Sequence, residues 1–155
     1  MNYPINLEEV TSELEYYEDV INLHKEAVAY LNNFKWCKSI HKASVYLNLG
    51  NVLCIFLFDI DNSASKEDNL LWIVVGDLPS IYLDTYGVKT TTQVVEDYIY
   101  LATEWIQQVK TGGSLEACFP FKATPTIEAA DLLERRIDFM KNTLLANMDD
   151  IALQV

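Results

Sequence analysis

The sequence predicts an α+β protein, in which an antiparallel meander of three or four strands is flanked by a long N-terminal helix and two C-terminal helices. Two uninterrupted apolar runs, residues 52–58 and 70–75, have the length of strands that are buried on both faces. An apolar repeat with helical spacing precedes these runs, and two more follow them. Helices segregated from strands along the chain are typical of the α+β class.

The length and composition favour one α+β domain over residues 1–155. Half of the residues are hydrophobic, which is enough for a packed core. The longest apolar run is far shorter than the ~20 residues that cross a bilayer, and the N-terminus has no signal-peptide pattern. Three cysteines at scattered positions form no disulfide framework. We therefore expect a cytoplasmic protein that has no membrane partner.

The net charge of −12 restricts the kinds of partner. A field of this sign repels nucleic acid and anionic lipid, so we expect neither as a ligand. It favours a basic protein partner. The alternative is that the charge only keeps the protein soluble.

The N-terminal repeat predicts one long helix over residues 6–34, or two in tandem. Asn6 and Glu9 have the spacing of a capping box. A basic island follows in residues 35–42, where we expect a last helical turn or a link into the sheet. The apolar face of the predicted helix consists of Leu7, Val10, Leu14, Tyr17, Ile21, His24, Val28 and Leu31.

A hairpin is predicted around Gly50 and Asn51. Residues 43–49 alternate as a half-buried edge strand does, and glycine at the first turn position favours a two-residue connection. This turn sets the register and leaves one face of the hairpin apolar and the other half-polar. The predicted pairs are Leu47 with Cys54 and Val45 with Phe56.

The second half of the chain predicts a polar loop, two strands and two helices. The loop covers residues 61–69, and the strands cover residues 70–75 and 81–83. The first helix begins after Thr90, ends near Lys110 and is stopped by a glycine pair. The last helix starts at Thr124-Pro125, and the tail from residue 147 is expected to fray. Its predicted buried stripe is Ala130, Leu133, Ile137, Met140 and Leu144.

Cys37 and His41 are the best candidates for a nucleophile pair. They stand four residues apart, so a helix would bring them to one face, as a thiolate and an imidazole require. The neighbouring Lys35 and Lys38 are expected to lower the pKa of the thiol. The alternative is that both residues are structural, because no acid that orients the histidine can be assigned.

Three aspartates stand where strands leave the sheet: Asp59 and Asp61 after the first apolar run, and Asp77 after the second. In an antiparallel sheet Asp77 lies about 20 Å from Asp59, so the three form no single catalytic group. We expect Asp77 to accept backbone hydrogen bonds in the turn at residues 78–80. No cysteine or histidine spacing predicts a metal site, and no motif predicts a cofactor.

Trp36-Cys37-Lys38 and the segment LWIVVGDLP at residues 71–79, followed by Tyr82, form a pattern. It resembles a small family of uncharacterised bacterial proteins of unknown function, whose sharpest part is LWxVVGDLPxxY. The resemblance covers roughly residues 36–145 and implies a bacterial cytosolic origin. It carries over no catalytic residues. The tryptophans Trp36, Trp72 and Trp105 are expected to serve the core.

A half-polar sheet face predicts where a partner binds. One helix is ~10 Å wide and covers about two strands, so we expect this face to stay open at the Tyr46 edge. The predicted binding surface is the patch of Tyr46, Ile55 and Asn48. The alternative is that the N-terminal helix covers this face.

The favoured function is a non-enzymatic acidic module that binds a protein, either regulatory or similar in type to the immunity proteins that neutralise basic toxins. The alternative is a small enzyme built on Cys37 and His41 or on Asp77. A homodimer is compatible with the sequence.

Overall fold

The computed structural model describes residues 2–154, which form a five-stranded antiparallel sheet with helices on both faces. The α+β class is confirmed, with more strands than predicted. The strands, in sheet order, are β1 (Ile5–Asn6), β2 (Cys37–Asn48), β3 (Leu53–Asn62), β4 (Leu70–Gly76) and β5 (Ile81–Asp84). The helices are α1 (Tyr17–Asn32), α2 (Thr91–Thr111), α3 (Ile127–Phe139) and α4 (Leu145–Asn147), with a π-helical segment at Met140–Leu144 and 3-10 turns at Leu7–Glu9 and Lys66–Asp68.

The central strands β3 and β4 are buried on both faces, as their continuous apolar runs predict. All residues from Leu53 to Phe58 and from Leu71 to Val75 are buried. A strand in this position has no solvent side, so its sequence shows no polar alternation. The predicted short strand at residues 81–83 is confirmed as β5, which pairs with β4.

The two faces of the sheet have different cover. The two-helix face packs against α2 and α3, and the one-helix face packs against α1. The predicted stripe of the last helix is buried on the two-helix face. Residues of the two-helix face are Leu53, Ile55, Leu57, Trp72 and Val74, and those of the one-helix face are Cys54, Phe56, Phe58, Ile73 and Val75.

The prediction of a helix over residues 6–34 is wrong for its first half. Tyr16 has a φ of 55°, in the left-handed region, and α1 begins only after it. The Asn6 side chain accepts a hydrogen bond from the Glu8 N–H and caps a 3-10 turn instead of forming a capping box. Leu14 is buried nonetheless, so the apolar spacing marked core residues without marking a helix.

The basic island is a strand and not a helical turn, because β2 begins at Cys37 and pairs with β3 over its whole length. β1 pairs with Ser44 and Val45, and among residues 2–154 no strand lies on the outer side of the first half of β2. The lysine and histidine side chains of this half are exposed.

The hairpin register is correct at Val45 and wrong nearer the turn. Val45 pairs with Phe56 as predicted, but Leu47 pairs with Ile55 and not with Cys54. An irregularity at Tyr46 adds one residue to β2 and shifts the pairing.

The C-terminal helices begin and end close to their predicted limits. The Thr90 hydroxyl caps α2, and Gly112, with a φ of 69°, ends it. Thr126 caps α3, so Pro125 precedes the cap and does not occupy the first helical position. Within residues 2–154, no helix is long and apolar enough to cross a membrane.

Residues 148–154 are held by hydrogen bonds, so the prediction that the tail frays is wrong for this range. The Ile151 carbonyl accepts from the Thr91 N–H, and the Leu153 N–H donates to the Lys89 carbonyl. The Gln154 N–H donates to the Tyr46 hydroxyl at 3.0 Å. These bonds tie the tail to the start of α2 and to β2.

Candidate functional site

The one-helix face is open beside β5. One helix ~10 Å wide is too narrow to cover a five-stranded sheet, and α1 packs chiefly over β2, β3 and β4. Tyr82 and Asp84 of β5 point to this face, opposite Ile73 and Leu71 of β4. Tyr82 is half-buried and Asp84 is exposed, so this edge forms a surface that α1 does not close.

An aromatic cluster fills part of this opening. Phe34 and Trp36 stack with ring centroids 4.8 Å apart and an interplanar angle of 22°. Trp36 meets Tyr82 edge-on at 5.3 Å, a geometry that aromatic pairs favour. Trp36 and Tyr82 belong to the two separate parts of the sequence pattern, WCK and GDLPxxY, and they are in contact in the fold. The cluster consists of Tyr30, Phe34, Trp36, Tyr82 and Phe119.

A cavity of about 300 Å³ lies against Trp36 and Tyr82, and we call it the aromatic cavity. Two acidic residues, Asp68 and Asp84, also line the cavity. The remaining lining residues are Asn62, Ala64, Leu71 and Leu83.

The loop between β3 and β4 positions Asp68. The Asn62 Oδ1 accepts hydrogen bonds from the N–H groups of Ala64 and Ser65, at 3.0 and 3.1 Å. The Asn62 Nδ2 donates to the Asp68 carbonyl at 3.1 Å. The Asn62 side chain therefore bonds to both the start and the end of the loop and fixes the backbone of Asp68, which lines the cavity.

Asp84 has one oxygen occupied by the turn that follows β5. Its Oδ1 accepts from the N–H groups of Tyr86 and Gly87, at 2.9 and 3.3 Å. Neither Asp84 nor Asp68 forms a salt bridge with another residue of the range 2–154. The geometry fixes the carboxylate of Asp84 and leaves Oδ2 for a ligand.

Neighbouring pKa values report the negative potential around the cavity. Burial raises the pKa of Asp97, and the charges of Glu96 and Asp84 raise it further. The pKa of Tyr86 is raised by a hydrogen bond to Glu67 and by the charges of Glu67 and Asp68. Several carboxylates therefore lie close together here, and a cluster of negative charge attracts cations. Lys89 is the nearby cation: its Nζ lies 5.9 Å from the centroid of the Tyr86 ring and donates to the Thr85 carbonyl.

Cys37 and His41 do not form the predicted pair. Four steps along a strand span about 13 Å, whereas a helix would have placed the two on one face. Burial raises the pKa of the Cys37 thiol, the reverse of the expected lowering by lysines. The enzyme hypothesis requires the thiol and the imidazole to be in contact, and the strand holds them apart.

His41 instead contacts Asp61, on the adjacent strand. Its Nε2 lies 2.9 Å from Asp61 Oδ1, and the Ser39 hydroxyl donates to Asp61 Oδ2 at 2.5 Å. The hydrogen bond and the charge of Asp61 raise the pKa of His41. Asp61 stands between the serine and the histidine, so the histidine cannot take the serine proton as a catalytic base does. Within residues 2–154, no group of three metal-ligating side chains forms.

Asp77 is paired with a side chain and not with the turn, so its predicted backbone bonds are wrong. Arg136 of α3 donates from Nη2 to the Asp77 carboxylate, and from Nε to the Asp77 carbonyl at 2.9 Å. The Tyr98 hydroxyl of α2 donates to the Pro79 carbonyl at 2.6 Å. The GDLP corner, residues 76–79, is thus hydrogen-bonded to both α2 and α3, so Asp77 has a structural role.

The predicted patch of Tyr46, Ile55 and Asn48 is not an open surface. Tyr46 and Ile55 are 2% and 0% exposed, because they lie on the two-helix face. The Asn48 Nδ2 donates to the Glu15 carbonyl at 2.8 Å and to the Tyr3 hydroxyl at 3.0 Å. A cavity of about 330 Å³ does border Tyr46 and Asn48, beside Phe139 and the π-helical segment.

Sequence reasoning missed Asp68 and Asp84, and assigned Trp36 to the core. Trp72 and Trp105 are buried as predicted, but Trp36 is only half-buried. The available signal was the pattern that contains both Trp36 and Tyr82.

No family model matches the chain, and comparisons with curated proteins and with solved structures found no similar protein. The resemblance of the LWIVVGDLP segment to a bacterial family therefore stays a prediction.

Proposed function

We propose that this protein is a non-enzymatic module that binds a basic protein partner through its acidic surface. The observation that carries the proposal is the placement of charge. No charged side chain within residues 2–154 is buried, so every charge in that range reaches solvent. With 23 acidic and 11 basic residues, the field of the surface is strongly negative.

The negative charge is concentrated around the start of α1. Residues 8–26, the acidic segment, contain one lysine, Lys25, and no arginine. Within the part of the chain that the structure describes, no residue of the segment forms a salt bridge. Uncompensated charges of one sign raise the association rate with a partner of the opposite sign. The exposed carboxylates of the segment are Glu8, Glu9, Glu13, Glu15, Glu18 and Glu26.

The separation of the reactive side chains supports a binding role over catalysis. His41 pairs with Asp61, Asp77 pairs with Arg136, and Cys37 is partly buried, so within residues 2–154 the three do not form one catalytic group. A role as an inhibitor of a basic toxin or enzyme, or as a regulator, fits this proposal. We place the protein in the cytoplasm, in agreement with three free cysteines.

The experiment compares two triple variants that remove the same charge. The first replaces Glu13, Glu15 and Glu18 by glutamine. The control carries Glu116→Gln, Glu128→Gln and Asp138→Asn, on exposed sites outside the segment. Glu18 and Glu128 both stand in the first turn of a helix, so the loss of helix-dipole stabilisation is matched. The probe is a decalysine peptide, titrated at two salt concentrations.

We expect the first variant to bind decalysine at least about tenfold more weakly than the control. The difference should shrink at high salt, because screening weakens exposed charges. Equal affinities of the two variants would show that the segment is no docking surface. No binding to the unmodified protein would overturn the proposed function.

A further inference from the structure

We infer that the aromatic cavity receives an arginine side chain of the basic partner. The wall formed by Trp36 and Tyr82 would contact one side of the guanidinium group, and the carboxylates of Asp68 and Asp84 would accept its hydrogen bonds. The inference rests on the proposed function and gives it a specific contact. Two features of the cavity support it, its aromatic faces and its acidic lining, and its size is compatible with it.

The aromatic wall suits a delocalised cation. A guanidinium group is planar, is weakly hydrated and stacks on aromatic faces, best on tryptophan. Trp36 is already held in place by its stack on Phe34 and its edge contact with Tyr82. A ring that is fixed before binding loses little conformational entropy when the ligand arrives.

The carboxylates suit the N–H donors of the guanidinium group. Asp84 keeps Oδ2 free while Oδ1 is held by two N–H groups. Asp68 is held through the Asn62 hydrogen bond to its carbonyl. Guanidinium–carboxylate hydrogen bonds are about twice as strong as neutral ones. The acidic lining disfavours an anionic ligand.

The size of the cavity agrees with one side chain. About 300 Å³ is at the lower end of the range of small-molecule sites, ~300–1,000 Å³. Lysine fits less well than arginine, since its ammonium is compact, strongly hydrated and lacks a planar face.

Trp36 supplies a direct readout. The protein has three tryptophans, and Trp72 and Trp105 are 0% and 2% exposed. Quenching or a wavelength shift of tryptophan fluorescence by a small ligand therefore reports on Trp36. The probes are three capped pentapeptides that differ only in the central residue: arginine, lysine or citrulline, the uncharged isostere of arginine.

The variants are Asp68→Asn and Asp84→Asn, and the matched control is Asp138→Asn on α3. Each removes one negative charge from the net −12, so the long-range field changes equally. Asparagine at position 84 keeps an oxygen for the two N–H groups.

We expect the arginine peptide to change the fluorescence with at least about tenfold higher affinity than citrulline. Asp68→Asn and Asp84→Asn should each weaken it about tenfold, and Asp138→Asn less than about twofold. Equal binding of citrulline, equal effects of all three variants, or no fluorescence change would each overturn the inference.

The two proposals fail in different ways. If the cavity takes no arginine, decalysine still distinguishes the acidic segment from its control. If decalysine fails to bind while the arginine peptide binds, the cavity is a site for a cation and the acidic segment is no docking surface.

Discussion

The two faces of the sheet differ in how completely they are closed. On the two-helix face the polar atoms of three large aromatic side chains are satisfied by the backbone: Trp72 donates to the Val88 carbonyl at 2.9 Å, Tyr98 to Pro79, and Tyr46 exchanges hydrogen bonds with Gln154. On the one-helix face α1 leaves the β5 edge uncovered, and the aromatic cluster there is only partly buried.

This difference separates stability from binding. A closed face whose buried polar atoms are all paired resists change, since any substitution leaves a gap or an unpaired group. An open edge keeps apolar and charged groups in reach of a partner. We therefore expect substitutions on the two faces to have unlike consequences, and the following experiments test that contrast.

The largest effect is expected for Trp72→Ala. It removes a side chain with 0% exposure and leaves the Val88 carbonyl without its donor. We expect a loss of about 3–5 kcal/mol in the free energy of unfolding, measured in urea. Trp36→Ala is the matched change on the open edge and should cost about 1 kcal/mol, because Trp36 is only half-buried. Equal losses would abolish the contrast between the faces.

Gly76→Ala should lower the free energy of unfolding, because it disturbs the pairing of β3 with β4, the two strands that both faces share. A Cβ at this position would come within 2.3 Å of the Val52 carbonyl oxygen and 2.8 Å of Leu53 Cα, and the φ of 149° strains any other residue. We expect a cost of about 3 kcal/mol. Gly87→Ala is the control, since nothing lies within 4 Å of its added methyl group, and it should change stability by less than about 1 kcal/mol. A neutral Gly76→Ala would mean that β3 and β4 can separate at this point.

Asp77→Ala should cost less than about 1 kcal/mol. Its partner is Arg136, and the Asp77 side chain is 64% exposed, so solvent screens the pair. Asp131→Ala, which removes an exposed partner of Lys110, is the control and should behave alike. Thermal unfolding measures both. A loss above about 2 kcal/mol in the free energy of unfolding for Asp77→Ala would show that the Asp77–Arg136 pair stabilises the packing of the two-helix face.

The smallest effects concern pH and the two histidines. His24 of α1 stacks on Phe58 with ring centroids 5.6 Å apart, and burial lowers its pKa. The unfolded state then binds the proton more readily, so His24 costs stability as the pH falls below about 6.5. The raised pKa of His41 has the opposite sign: its contribution is present below about 6.5 and is lost as the pH rises through its folded pKa.

Two variants separate these contributions. His24→Leu should lose less stability than the unmodified protein between pH 7 and about pH 5.5, and His41→Gln should lose more. Urea unfolding at each pH measures this. Parallel curves for all three proteins would show that neither histidine is coupled to folding.

The sequence predicted those parts of the fold whose burial is uniform. β3, β4 and the stripe from Ala130 to Leu144 follow from apolar spacing alone. The strand at Cys37–Asn48 was missed in its first half, because an exposed edge of polar and basic residues shows no apolar alternation. The left-handed turn at Tyr16 and the irregularity at Tyr46 are set by tertiary packing, which a periodic pattern does not contain.

The site was predictable only in part. A single helix does leave part of one sheet face open, but this is the face of Val45 and not the face of Tyr46, and α1 packs over three strands there. Asp68 and Asp84 reach the cavity through an asparagine-centred loop and a turn. Neither leaves a signal in a linear pattern.

The uncovered outer edge of β2 bears on how the protein behaves at high concentration. An unpaired strand offers its backbone to any other strand and so invites aggregation. Here Lys38, His41 and Lys42 stand along that edge. A second copy adding antiparallel about a two-fold axis would set lysine against lysine, which repels at low ionic strength. The two lysines therefore disfavour the addition of a second copy to the sheet at this edge when the ionic strength is low.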